Sequence, residues 1–217
     1  MPASIEAVLF DFGGVFTDSP FHAVHAYGKE LGLDPAQVTQ IVFGSYEHDG
    51  DHPWHRLERG EITLESARND ILALGQAHAV TLDIYDLFAR MAGNNAGAGA
   101  RLILVDRVRT LRDEGYTTGI ITNNVAEFGD GWRGLIPVDE LFDFVIDSSA
   151  VGVRKPDPGI FALALERLPG LEPRQALFLD DYEANVQAAR ACGLQSLLVE
   201  TDLAATIAEL DALLHSR

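Results

Sequence analysis

From residue 100 onward the chain repeats one pattern, and that pattern limits the fold more than any other feature. Short apolar runs at residues 118–122, 144–147, 176–179 and 196–199 alternate with helical stretches at 102–114, 138–141, 158–168, 183–192 and 203–214. Strands too apolar to have a solvent face, separated by amphipathic helices, predict a parallel, doubly wound sheet. A further run of the same kind, residues 5–10, lies near the start of the chain. It ends in Asp11, followed after Phe12 by Gly13 and Gly14.

Between these parts the character differs. Residues 18–99 read as several helices with no convincing strand. Residues 21–31 have helical spacing, Asp34-Pro35 reads as a cap followed by proline at the first helical position, and Thr63 can cap a helix through Leu74. Residues 82–91 form another helix, and Gly93 to Gly99 has the composition of a hinge. The expected architecture is an α/β core from residues 1–17 and 100–217, with an inserted α-helical cap over 18–99. The cap would open by flexing at residues 17–20 and 93–99.

Composition excludes some partners. Formal net charge is −17 and the only lysines are Lys29 and Lys155, so the basic footprint of a nucleic-acid binder is missing and anionic membranes are disfavoured. No apolar run reaches membrane-spanning length, and no basic segment followed by an apolar one opens the sequence, so the cytoplasm is the expected compartment. The single cysteine, Cys192, precludes an internal disulfide and reads as a small core residue.

Four strand ends carry polar groups: Asp11; Thr122-Asn123-Asn124; Lys155; and Asp180-Asp181, with Asn185 following. In a parallel sheet these ends share one edge, where open α/β sheets bind ligands. Carboxylates on rigid strands suit a hard cation such as Mg²⁺. A hydroxyl, an amide and an ammonium suit a tetrahedral anion. Asp11 is placed for nucleophilic attack, with the metal and Lys155 neutralising charge on the transferring group. Turn and cap residues with ordinary ion pairs are the competing account.

The motifs Phe10-Asp11-Phe12-Gly13-Gly14-Val15, Ile120-Ile121-Thr122-Asn123, Gly152-Val153-Arg154-Lys155-Pro156-Asp157-Pro158 and Phe178-Leu179-Asp180-Asp181, in that order, resemble the haloacid dehalogenase-like hydrolases with a helical cap. The branch containing the phosphatase domain of soluble epoxide hydrolase is the most similar, and the cap segment from Trp54 to Thr63 fits it. The resemblance implies Asp11 as nucleophile and metal ligand, with the Gly13 carbonyl as a second ligand. Asp181 would be a direct ligand and Asp180 a direct or water-mediated one. Thr122, the Asn123 backbone and Lys155 would hold the phosphate, and Asn185 would orient the acidic loop. It also implies a Mg²⁺-dependent phosphatase of a small phosphorylated metabolite, working through an aspartyl-phosphate, as a monomer or homodimer.

One position departs from that pattern. Phosphatases of this kind carry a second aspartate where Gly13 stands, which protonates the leaving group and later activates water. Such help is worth roughly 10²–10⁴-fold in rate, so turnover of alkyl phosphates should be slow. Phosphonate or carbon–halogen cleavage, or a degenerate binding or regulatory protein, are the alternatives. Phosphonate chemistry would need a cap lysine, for which Lys29 is the candidate, although it reads as solvated surface. His48, Asp49, Asp51, His52 and His55 have spacings that could bind zinc. More readily, one of them, or Asp18 or His22, lines the cleft and partly replaces the missing acid.

Overall fold

The structure is a computed structural model that describes residues 4–93 and 98–215. Five strands, β1 (Ala7–Phe10), β2 (Thr117–Thr122), β3 (Phe144–Asp147), β4 (Ala176–Asp180) and β5 (Gln195–Leu198), form one sheet in the order β3-β2-β1-β4-β5. Every pairing is parallel, with Ala7 opposite both Thr117 and Ala176. The α/β doubly wound fold expected from the alternation is therefore present.

Burial follows the two-residue period of a strand. Val8 and Phe10 of β1 join Ile120, Leu177 and Leu179 in a core shared with α6 (Ala98–Asp113), α7 (Val138–Leu141) and α11 (Leu203–His215). Ala7 and Leu9 turn to the opposite face, where Phe178 and Ile121 pack against α9 (Pro158–Glu166) and α10 (Glu183–Ala191). Both faces of the sheet are thus covered, which is why its strands carry no polar alternation.

The segment between β1 and α6 is helical: α1 (Pro20–Glu30), α2 (Pro35–Phe43), α3 (Pro53–Glu58), α4 (Leu64–Ala77) and α5 (Ile84–Gly93). Three of these helices, α2, α3 and α4, start where a side chain satisfies a free amide. Asp34 accepts from Ala36 N at 3.1 Å and Thr63 from Ser66 N at 3.2 Å. These helices have a hydrophobic core of their own, including Val24, Val38, Ile41, Leu57, Ile71 and Leu87, which Val125 and Tyr182 also touch. One helix was not expected: α3, six residues long, begins at Pro53 with His52 as its cap. Residues 94–97 of the expected hinge lie outside the described residues, while Gly93 ends α5 and Ala98 begins α6. No helix among the described residues is long and apolar enough to cross a membrane.

Candidate active site

The strand order reverses between β1 and β4, the switch point at which doubly wound sheets open a crevice. Asp11 stands immediately beyond β1 and Asp180 closes β4, so the sheet itself brings the two carboxylates together. Lys155 arrives from a different direction. After β3 the chain makes the short helix α8 (Ser148–Val151), turns through Gly152 in a left-handed conformation (φ 73°), and delivers Lys155 just before α9.

The lysine lies between the two aspartates. Its Nζ is 2.7 Å from Asp11 Oδ1 and 2.7 Å from Asp180 Oδ2. It is fully buried, as is Asp180, while Asp11 is 8% exposed. Asp11 Oδ1 also accepts from Phe12 N at 2.7 Å. Asp180 is held from its other side by Tyr182 N at 2.8 Å and by the Asn185 amide, which donates to both carboxylate oxygens at 3.1 and 3.0 Å. Asn185 therefore holds the Asp180 carboxylate directly. Thr122 is buried at the end of β2. The Asn123 side chain has a role that spacing did not reveal: it accepts from Lys155 N at 2.8 Å and donates to Lys155 O at 3.0 Å. That pair of bonds fixes the backbone that carries the lysine.

Asp181 lies over the glycine turn. A Cβ on Gly14 would sit 2.0 Å from Asp181 Oδ2, and Gly14 has φ +78°, so this position excludes a side chain twice over. Gly13 is different, because a Cβ there would meet nothing within 4 Å. Arg101 braces the same turn, its Nη1 donating to Gly14 O at 2.5 Å and Val15 O at 2.6 Å. No sequence signal marks it, since its partners lie 87 and 86 residues away.

The electrostatics of the set are unbalanced. Asp11, Asp180 and Asp181 bring ligand atoms within 4.8 Å of one another, the one such group of three or more His, Cys, Asp or Glu among the described residues. A single ammonium faces them. Burial raises Asp11 well above the usual carboxylate range; Lys155 opposes the shift, and Asp180 and Asp181 add to it. Asp181 is raised to about 6, by burial and then by Asp180, against a hydrogen bond from Ser19. For Lys155 burial works downward, but Asp11 and Asp180 outweigh it and keep the ammonium charged. Three hard oxygen donors with a surplus of negative charge fit a divalent cation such as Mg²⁺.

The other candidates do not join this set. His22 and Lys29 are exposed on α1. Asp18 is 46% exposed and lies 3.8 Å from Arg101. His52 Nδ1 accepts from Trp54 N at 3.2 Å as the cap of α3. His55 is 2% exposed and held neutral, its pKa lowered to about 4 by burial, then Arg154 and His52. His52 thus caps α3 and His55 is buried within it, while His48 is exposed outside the helix; none of the three belongs to the acidic group.

A family model for haloacid dehalogenase-like hydrolases matches residues 5–193. Bifunctional epoxide hydrolase 2 of Sus scrofa is 38% identical over 214 residues, covering 93% of this chain and 38% of that protein. Acyl-CoA dehydrogenase family member 10 of Mus musculus is 32% identical over 213 residues, which cover 97% of this chain and 19% of that protein. The chain thus spans well under half the length of these relatives. Phosphoglycolate phosphatase of Escherichia coli O157:H7 is 32% identical over 207 residues, 89% of this chain and 80% of that enzyme. Among solved structures, a HAD-like family hydrolase from Porphyromonas gingivalis superposes with a TM-score of 0.63 at 23% identity, covering 99% of this chain and 100% of the other. A HAD family enzyme from Bacteroides thetaiotaomicron, in complex with magnesium and inorganic phosphate, superposes at 0.59 with 20% identity over 91% of this chain and 96% of its own. At that identity the structural likeness speaks for the fold.

Proposed function

Since the chain belongs to the haloacid dehalogenase-like hydrolase family, we propose that it is a Mg²⁺-dependent phosphatase of a small phosphorylated metabolite, with Asp11 as nucleophile. The observation that carries this reading is the arrangement at the switch point: a buried lysine 2.7 Å from each of two carboxylates, with a third closing a hard-donor set. The named phosphatases among its relatives support it as well.

Phe12 N and Lys155 both bind Asp11 Oδ1, which leaves Oδ2 as the attacking atom. Oδ2 forms a bond to phosphorus while the bond to the leaving oxygen breaks and its electron pair departs with that oxygen. Water then cleaves the aspartyl-phosphate. Asp11, Asp180, Asp181 and the Gly13 carbonyl would hold Mg²⁺, which when bound supplies positive charge to the transferring phosphoryl group. Thr122, the Asn123 backbone and Lys155 bind the phosphoryl oxygens. The helices over residues 18–99 form the cap that excludes water.

With Gly13 in place of an acid, the leaving group has to depart as an anion. That favours acyl or aryl phosphates over alkyl phosphates. Phosphonate or carbon–halogen cleavage is the second reading, favoured by the same glycine; the three-carboxylate set weighs against dehalogenation, because a metal is what such a set holds, and the exposure of Lys29 weighs against phosphonate cleavage. A net charge of −17 argues for a small substrate rather than nucleic acid. The reading is of a cytoplasmic enzyme, monomeric or dimeric.

The test is a panel of acyl, aryl and alkyl phosphates, phosphonates and 2-haloacids, with and without Mg²⁺. Asp11→Asn should abolish turnover of every substrate. Gly13→Asp, for which the backbone has room, should raise kcat on alkyl phosphates by about 10²-fold. Wild-type turnover by Asp11→Asn would remove the nucleophile assignment. Halide release without metal would replace phosphatase with dehalogenase.

A further inference from the structure

Glu58 ends α3, outside the catalytic set, yet its carboxylate is almost fully buried. Its Oε2 accepts from Arg154 Nε at 2.7 Å, and its Oε1 accepts from the Tyr46 hydroxyl at 2.5 Å. Tyr46 in turn accepts from Trp54 Nε1 at 3.0 Å. Arg154 has no exposed surface; its guanidinium lies over the Tyr46 ring, 4.6 Å from the centroid, and reaches Asp49 at 3.4 Å. The guanidinium is thus fixed from three directions by residues of the helical segment. The backbone of Glu58 makes a second connection. Its carbonyl accepts from Ser148 Oγ at 2.6 Å, and that hydroxyl accepts from Asn124 N at 3.0 Å.

The placement of these bonds in the chain matters. Arg154 immediately precedes Lys155, and Asn124 immediately follows Asn123. Asn123 and Lys155 are themselves joined by two hydrogen bonds. One helix end of the cap segment therefore grips both strand-end loops assigned to the phosphate. As a stabilising device such a pair is poor, because desolvation offsets most of its Coulomb energy and apolar packing does as well or better. What a guanidinium held in a fixed plane supplies is geometry.

We propose that Glu58 and Arg154 are positioning residues for Lys155: docking of α3 sets the Arg154-Lys155 backbone, and so places Nζ between Asp11 and Asp180. The proposal rests on the reading of Lys155 as a phosphate-binding group. The cap segment then completes the phosphate site as well as covering it.

The chain's two lysines make a direct test possible. Lysine labelled with ¹³C at Cε, in a Lys29→Arg background, gives one side-chain signal, that of Lys155. In Glu58→Gln, folded by circular dichroism, this signal should shift, and affinity for inorganic phosphate in the presence of Mg²⁺ should fall about tenfold to a hundredfold. Mg²⁺ affinity should stay at the wild-type value. Tyr46→Phe removes one bond to Glu58 and should shift the signal in the same direction by less; it serves as the test if Glu58→Gln does not fold. A folded Glu58→Gln or Tyr46→Phe protein with lower thermal stability but an unmoved Lys155 signal would overturn the proposal. Failure of the wild type to bind phosphate would count against the phosphatase reading alone, because the signal comparison does not depend on it.

Discussion

Gly13 and Gly14 are adjacent and alike, but the structure asks opposite things of them. At Gly14 any side chain would collide with the Asp181 carboxylate in a backbone conformation that disfavours L-residues. Gly14→Ala should therefore displace Asp181 and weaken Mg²⁺ binding at least tenfold by calorimetry. Gly13→Ala meets open space and should change stability by less than about 1 kcal/mol in urea titrations. On the proposed phosphatase reading Gly13 has a kinetic consequence too, because it offers no side chain to activate water on the aspartyl-phosphate. Rapid mixing with an aryl phosphate should give a burst of leaving group close to one equivalent, followed by slower turnover; Gly13→Asp should remove the burst. Asp11, Asp180 and Asp181 stood out in the sequence because each is a polar residue at or just after the end of an apolar run, whereas Lys155 and Asn185 lie further on and stood out through the motifs that resemble the family. Arg101, and the bonds of the Asn123 side chain, were not. They depend on distances between segments far apart in the chain, which local spacing does not encode.

Among the elements, α3 was the hardest to foresee. Six residues are too few for a hydrophobic period, and the surrounding histidines suggested a zinc site or a lining of the cleft. Read with the structure in hand, His52-Pro53 is a cap followed by proline in the first helical turn. Burial of His55 in this helix makes a pH prediction. Unfolded, the imidazole takes up a proton near pH 6.5; folded, it does so only at about 4. The unfolded state therefore binds more protons between these values, so this contribution to stability is complete above 6.5 and declines as pH falls toward 4, by about 3 kcal/mol over the whole window. Asp181, raised to about 6 in the absence of metal, runs the other way over an overlapping range. Urea titrations at pH 7 and 4.5 should isolate the histidine by difference: His55→Gln should lose less stability on acidification than the wild type.

For the molecule as a whole, charge and topology act separately. The sheet was legible because five apolar runs between helices admit few arrangements, and the helical character of residues 18–99 because its periods are clear. How those helices meet the sheet was not, since Glu58 and Arg154 carry no mark of partnership in sequence. Net charge has a consequence for encounter. A chain at −17 repels an anionic substrate over a screening length of roughly 30 Å at 0.01 M salt, which shrinks to about 8 Å at 0.15 M. At saturating Mg²⁺, kcat/KM should therefore rise about two- to tenfold across that range, opposite to the trend for an enzyme that steers its substrate electrostatically.

The central place of β1 also bears on how the chain is made. This strand is translated before both of its neighbours, since β2 and β4 pair with Ala7 through Thr117 and Ala176. At ribosomal speeds of about 5–20 residues per second, roughly 110 residues separate β1 from its first partner, a wait of about 5 to 20 seconds. The strand that leads into Asp11 spends that interval as an apolar segment without its sheet. During synthesis it is therefore the part of the core with the longest exposure to chaperones and to misdirected pairing.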